Sequence, residues 1–68
     1  MECKIGERIF ELRKEMNLSQ VKLAKQIGVT QKAVDFWEKG INEPKSSFII
    51  KLAQFFHVSS DYLLGLED

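Results

Sequence analysis

The stretch Ser19 to Lys39, SQVKLAKQIGVTQKAVDFWEK, constrains this chain most, because it reads as two short helices with a connection too tight to do anything but cross them. Three triplets mark helix starts: Leu18-Ser19 with Leu23, Val29-Thr30 with Val34, and Val58-Ser59 with Leu63. In each, the hydroxyl can accept from an otherwise unpaired first-turn N–H, while the apolar residue before it packs on the one five positions later. Helices are therefore expected to start at Ser19 and Thr30. Lys22 and Ala33 stand where Glu or Gln would reach back, so only the hydroxyl half of a capping box is present. Ile27 closes the apolar face of the first of these helices, and Gly28, free to adopt positive φ, ends it. Two helices of about ten residues so closely joined fit a helix-turn-helix, in which the second lies nearly across the first and can project from the body.

The rest of the chain reads as scaffold. Its 68 residues fit one domain, 1–68, able to bury only about 60% of its unfolded surface. A hydrophobic content of 44% suits a compact fold rather than a disordered chain. A first helix over about 4–16 carries Ile5, Ile9, Leu12 and Met16 as one apolar stripe, with Arg13 beside it and Phe10 off it; Asn17 then tolerates left-handed geometry. In the second helix, 19–27, Leu23, Ala24 and Ile27 face inward. In the third, 30–39, Ala33, Val34 and Trp37 share one arc opposite Gln31, Lys32, Asp35, Phe36 and Lys39. One side of that helix is core, and the other is a display surface. Gly40 to Pro44 form a breaker-rich loop before a fourth helix, 46–56, whose inner face is Ile49, Leu52, Ala53 and Phe56. A fifth, 60–64, has Asp61 at its positive end and stops at Gly65. The expected class is all-α.

Several functions are disfavoured. No apolar run approaches the length of a membrane span, the first residues do not form a signal-peptide core, and a lone Cys3 suits a cytoplasmic chain better than a secreted one. With one His and one Cys, no metal-ligand cluster and no glycine-rich phosphate loop, no metal, cofactor or catalytic site is expected. Glu7, Glu11 and Glu15 line a helix as solvent-facing charge. The formal net charge is zero, which by itself argues against a nucleic-acid partner. Its distribution argues back: residues 17–56 hold six lysines against Asp35, Glu38 and Glu43, while residues 57–68 hold three acids and no base.

The run IGERIFELRKEMNLSQVKLAKQIGVTQKAVDFWEKG, the Pro44 that follows, and KLAQFFHVSSDYLLG resemble the phage-repressor-like helix-turn-helix regulators, the lambda repressor, Cro and Xre superfamily. The resemblance runs from Ile5 to Gly65. Its fixed points are Ser19-Gln20, Leu23-Ala24, Gly28-Val29, Trp37-Glu38-Lys39-Gly40, Pro44 and Leu52-Ala53. It implies a five-helix lambda-repressor-like bundle whose third helix enters the major groove of double-stranded DNA, with protomers paired as a homodimer on a palindromic operator, most often as a repressor. Gln31 and Lys32 are then expected at base edges, since an amide can bond adenine N6 and N7 together and an ammonium can donate to guanine. Asp35 either selects against wrong sites or accepts from cytosine N4. Phe36, where the family more often has a polar residue, either meets a thymine methyl or packs on a neighbouring helix.

Ser19 and Gln20 are expected to position phosphate at the start of the second helix, with Lys39, Asn42 and Lys45 as further backbone contacts. Lys22 and Lys25 either join them or lie on the far side. Arg13 and Glu38 are expected to pair between the first and third helices and fix the angle of the reading helix. His57, where the family commonly has Gly, is expected to end the fourth helix at positive φ. Phe55, Tyr62 and Leu64 are candidates for a dimer interface, while Phe10, Phe55 and Tyr62 would otherwise simply complete the core. A protein antagonist is one route of control. An alternative is a protein-interaction module, an antitoxin or adaptor, on the same fold.

Overall fold

The hydroxyls of Ser19, Thr30 and Ser59 each accept from the backbone N–H three residues on, at 3.1, 3.1 and 3.0 Å. The structure is a computed structural model and describes residues 3–67, so Met1, Glu2 and Asp68 of the expected 1–68 unit lie outside the described residues. Behind these caps run α2 (Gln20–Ile27), α3 (Gln31–Lys39) and α5 (Ser60–Leu64); α1 (Ile5–Glu15) and α4 (Ser46–Phe56) complete an all-helical, five-helix fold. The expected boundaries hold to within a residue. Ser19 and Thr30 are the extended caps before their helices rather than first helical residues.

The core gathers one stripe from each helix. Ile5 and Ile9 of α1 meet Leu23, Ala24 and Ile27 of α2, Val34 and Trp37 of α3, Leu52 and Phe56 of α4, and Leu63 of α5. The staple residues Leu18, Val29 and Val58 pack on this cluster, as do Ile49 and Ala53. Met16 does not: α1 ends at Glu15, and Met16, its cap, is 50% exposed. Past the last helical turn the 3.6-residue period no longer applies, and Asn17 at φ 53° redirects the chain, so the expected fourth member of the stripe leaves it.

Two glycines set the geometry that matters. Gly28 takes φ 87° and donates to Ala24 O at 2.8 Å, closing α2 so that α3 starts three residues later. Gly6 is buried where α1 crosses α3; a Cβ there would be driven into the Trp37 carbonyl oxygen, with Glu38 Cα 3.3 Å away. Only a glycine lets the two backbones approach this closely. His57 ends α4 at φ 58° as expected, and among the described residues no helix is long and apolar enough to cross a membrane.

Candidate nucleic-acid interface

Because Val34 and Trp37 are drawn into the core, the opposite side of α3 is turned outward. Gln31, Lys32 and Lys39 are exposed there, and Asp35 and Phe36 are half-buried between them. On the first turn of α3, Gln31 and Lys32 stay exposed while Val34 is buried beneath them.

What holds this face is a lattice of directional bonds from three helices. Arg13 Nε donates to Glu38 Oε2 at 2.7 Å and Nη2 to Oε1 at 2.9 Å, a two-pronged pair between α1 and α3. Its remaining Nη1 donates to the Leu18 carbonyl at 3.0 Å. Both side chains are nearly enclosed, 10% and 6% exposed. The Glu38 hydrogen bond raises the Arg13 pKa above its ordinary value, against the opposing effect of burial and with the help of Glu38's charge. The expected ion pair is present.

Gln20 extends the lattice from α2. Its Nε2 donates to Glu38 Oε1 at 3.0 Å and Asp35 Oδ1 at 3.2 Å, and its Oε1 accepts from Gln31 Nε2 at 2.7 Å. The run Arg13–Glu38–Gln20–Gln31 thus connects a buried guanidinium to the exposed amide at the tip of α3. One N–H of that amide is used, which leaves its second N–H and its carbonyl oxygen, the pair that adenine's N7 and N6 require. Asp35 Oδ2 lies 2.9 Å from Lys39 Nζ, one turn on. Lys39, and after it Gln20, hold the Asp35 carboxyl below the usual carboxylate range. The Asp35 charge is thus kept, with the Lys39 ammonium directly beside it.

Lys32 Nζ stands 5.3 Å from the centre of the Phe36 ring. Ser19 is exposed, its hydroxyl engaged as the α2 cap, and Asn42 and Lys45 are exposed on the loop after α3. The site thus brings together Arg13, Gln20, Gln31, Asp35, Glu38 and Lys39. Phe55, Tyr62 and Leu64 lie elsewhere and are half-buried. Phe55 meets Phe56 edge-on at 5.2 Å, and the Arg8 guanidinium lies 4.2 Å over Tyr62, so both rings have neighbours within the chain. Phe10, 45% exposed, has Arg13 and Lys14 over its face. Among the described residues no group of three or more His, Cys, Asp or Glu is placed to hold a metal.

Sequence reasoning missed Gln20 as the joint of the lattice. The i,i+4 spacing of Asp35 and Lys39 was a visible signal of their pairing. Gln20 and Gln31 meet only because of the helix crossing, which spacing does not reveal.

A sequence profile of helix-turn-helix proteins matches residues 9–63. Repressor protein C2 of Salmonella phage P22 is 37% identical over 60 residues, covering 88% of this chain and 28% of that protein. The chain spans half or less of the length of this and two other curated relatives it matches. Among solved structures, the P22 c2 repressor in complex with a synthetic operator superposes with a TM-score of 0.88 at 33% identity, covering 98% of this chain and 100% of that one. SinR, from Bacillus subtilis, in its complex with SinI superposes with a TM-score of 0.80 at 30% identity over 94% of this chain and 67% of that one.

Proposed function

The chain belongs to the helix-turn-helix family, and from that premise we propose that it is a sequence-specific regulator that binds double-stranded DNA and acts as a repressor. Residues 1–68 serve as one DNA-binding unit, not an enzyme, and the working compartment is the cytoplasm. The observation that carries this reading is the held yet uncovered amide of Gln31, pinned by Gln20 with an adenine-compatible donor and acceptor left over. Lys32 beside it supplies an ammonium for guanine. Asp35, partly neutralised by Lys39, accepts from cytosine N4 or rejects sites where phosphate comes too near. Ser19, Lys39, Asn42 and Lys45 seat the helix on the sugar–phosphate backbone, together with the free backbone N–H groups at the start of α2, that of Gln20 among them. The Gln20 side chain, expected at phosphate, has both amide N–H groups engaged by Glu38 and Asp35 and holds Gln31 instead.

Repression follows from occupancy of an operator. Two copies on a palindrome place two α3 helices about one helical turn apart, with Phe55, Tyr62 and Leu64 as candidate contacts between protomers. The P22 c2–operator complex supports the DNA-binding reading, and the SinR–SinI complex supports a protein partner for a chain of this fold, the place an antagonist would take. Selection of bound sequences from random duplex DNA tests it: a palindrome is expected. Binding should weaken steeply between about 50 and 200 mM salt as counterions are released. A chain that enriches no duplex, but captures a protein partner with little salt dependence, is instead an interaction module.

A further inference from the structure

The outward face of α3 carries one apolar side chain, Phe36, and the base edges of a major groove carry one apolar feature, the C5-methyl of thymine. We propose that Phe36 is a specificity-determining residue that packs on a thymine methyl, with Lys32 directed by the ring toward a neighbouring guanine. This rests on α3 as the DNA-reading helix and goes beyond it by naming the chemical group that is read.

Three observations support it. Phe36 is half-buried without belonging to the core: Ala33, Phe48 and Phe55 have similar exposure and pack on the core cluster, whereas Phe36 lies outside it. The core has no need of this ring, since Val34 and Trp37 already fill the inner side of α3. Second, the edge of the helix bearing Gln31 and Asp35 is tied to Gln20, whereas Phe36 lies about 100° round the axis from Asp35 and about 140° from Gln31. The amide and the ring therefore leave the helix in different directions. Third, Lys32 Nζ stands 5.3 Å from the ring centre, and its aliphatic stem shares the ring's side of the helix one turn before it. An apolar patch with an ammonium beside it complements a thymine methyl next to the O6 and N7 of guanine.

Contact between ring and methyl removes apolar area of both from water, worth about fourfold in affinity per methyl. The test replaces each thymine of the enriched duplex in turn by deoxyuridine, which deletes the methyl and leaves every hydrogen-bonding group. One thymine in each half-site is expected to lose about fourfold, and Phe36→Ala is expected to bind the thymine and uridine duplexes equally. Phe36→Leu, which keeps apolar contact, should retain part of the preference. The uridine series on the unaltered chain needs no variant, so a misfolded Phe36→Ala does not shield the proposal. Insensitivity to every uridine, or a sensitivity that persists in a folded Phe36→Ala, overturns the role of Phe36 alone. Enrichment of no duplex overturns it together with the DNA-reading premise.

Discussion

Where α1, α2 and α3 cross at their solvent side, the chain uses hydrogen bonds among Arg13, Gln20, Gln31, Asp35 and Glu38; where α4 and α5 close the core, it uses Leu52, Phe56 and Leu63. The difference fits what each region is proposed to do. Apolar contact stabilises in proportion to area and tolerates small rotations, which suffices for helices that only buttress. A surface proposed to meet base edges within hydrogen-bonding distance would need its side chains aimed, and directional bonds do that. Disturbing the apolar half should therefore cost stability first, and disturbing the polar half should cost discrimination first.

The sharpest break is in the apolar half. Leu52 is fully buried, and Leu52→Ala should destabilise by about 2–5 kcal/mol, read by chemical denaturation, while any molecules still folded keep their sequence preference. Next comes Arg13→Ala, which strands Glu38 without its charge partner and should cost about 3 kcal/mol. Replacing both partners by apolar residues, Arg13→Met with Glu38→Leu, should return stability to within about 1 kcal/mol of the parent while base preference stays weakened. A loss below about 0.5 kcal/mol for Arg13→Ala would instead make the pair dispensable. Gly28→Ala, strained at φ 87° though nothing crowds it, should cost about 1 kcal/mol.

Gln20→Ala should change stability by less than about 0.5 kcal/mol, since water can replace its bonds, yet flatten the preference at the base read by Gln31. The smallest effect is the pH dependence of Asp35. Its carboxyl is held below the usual range in the folded state, so its contribution is present above the ordinary value of 3.8 and fades as pH falls through the lower folded value. Denaturation of Asp35→Asn against the parent should show a gap at neutral pH that closes in acid. A gap widening toward acid would contradict the Lys39 and Gln20 contacts.

Most of the fold was legible because capping is local chemistry. A hydroxyl at Ser19 or Thr30, an apolar residue on either side and a glycine at 28 define helix ends within a few residues of chain. Met16 was misjudged because a stripe says nothing about where its helix stops. Gly6 was missed as a contact, although a glycine inside a helix carries a cost that implies a packing reason. In the candidate site, the outward side of α3 and the Arg13–Glu38 pair were legible, one from helical period and the other from resemblance. The Gln20–Gln31 bond was not, because it depends on a crossing angle set by distant packing.

The central claim is that the outward side of α3, aimed by Gln20, reads a base sequence. The most direct test is equilibrium binding of the parent and Gln31→Ala to the enriched duplex and to duplexes altered one base pair at a time, repeated across salt concentration. The predicted result is that Gln31→Ala loses discrimination at one position per half-site, by about 1–3 kcal/mol, with an unchanged salt slope. A uniform loss at every position, or discrimination left intact, would contradict it.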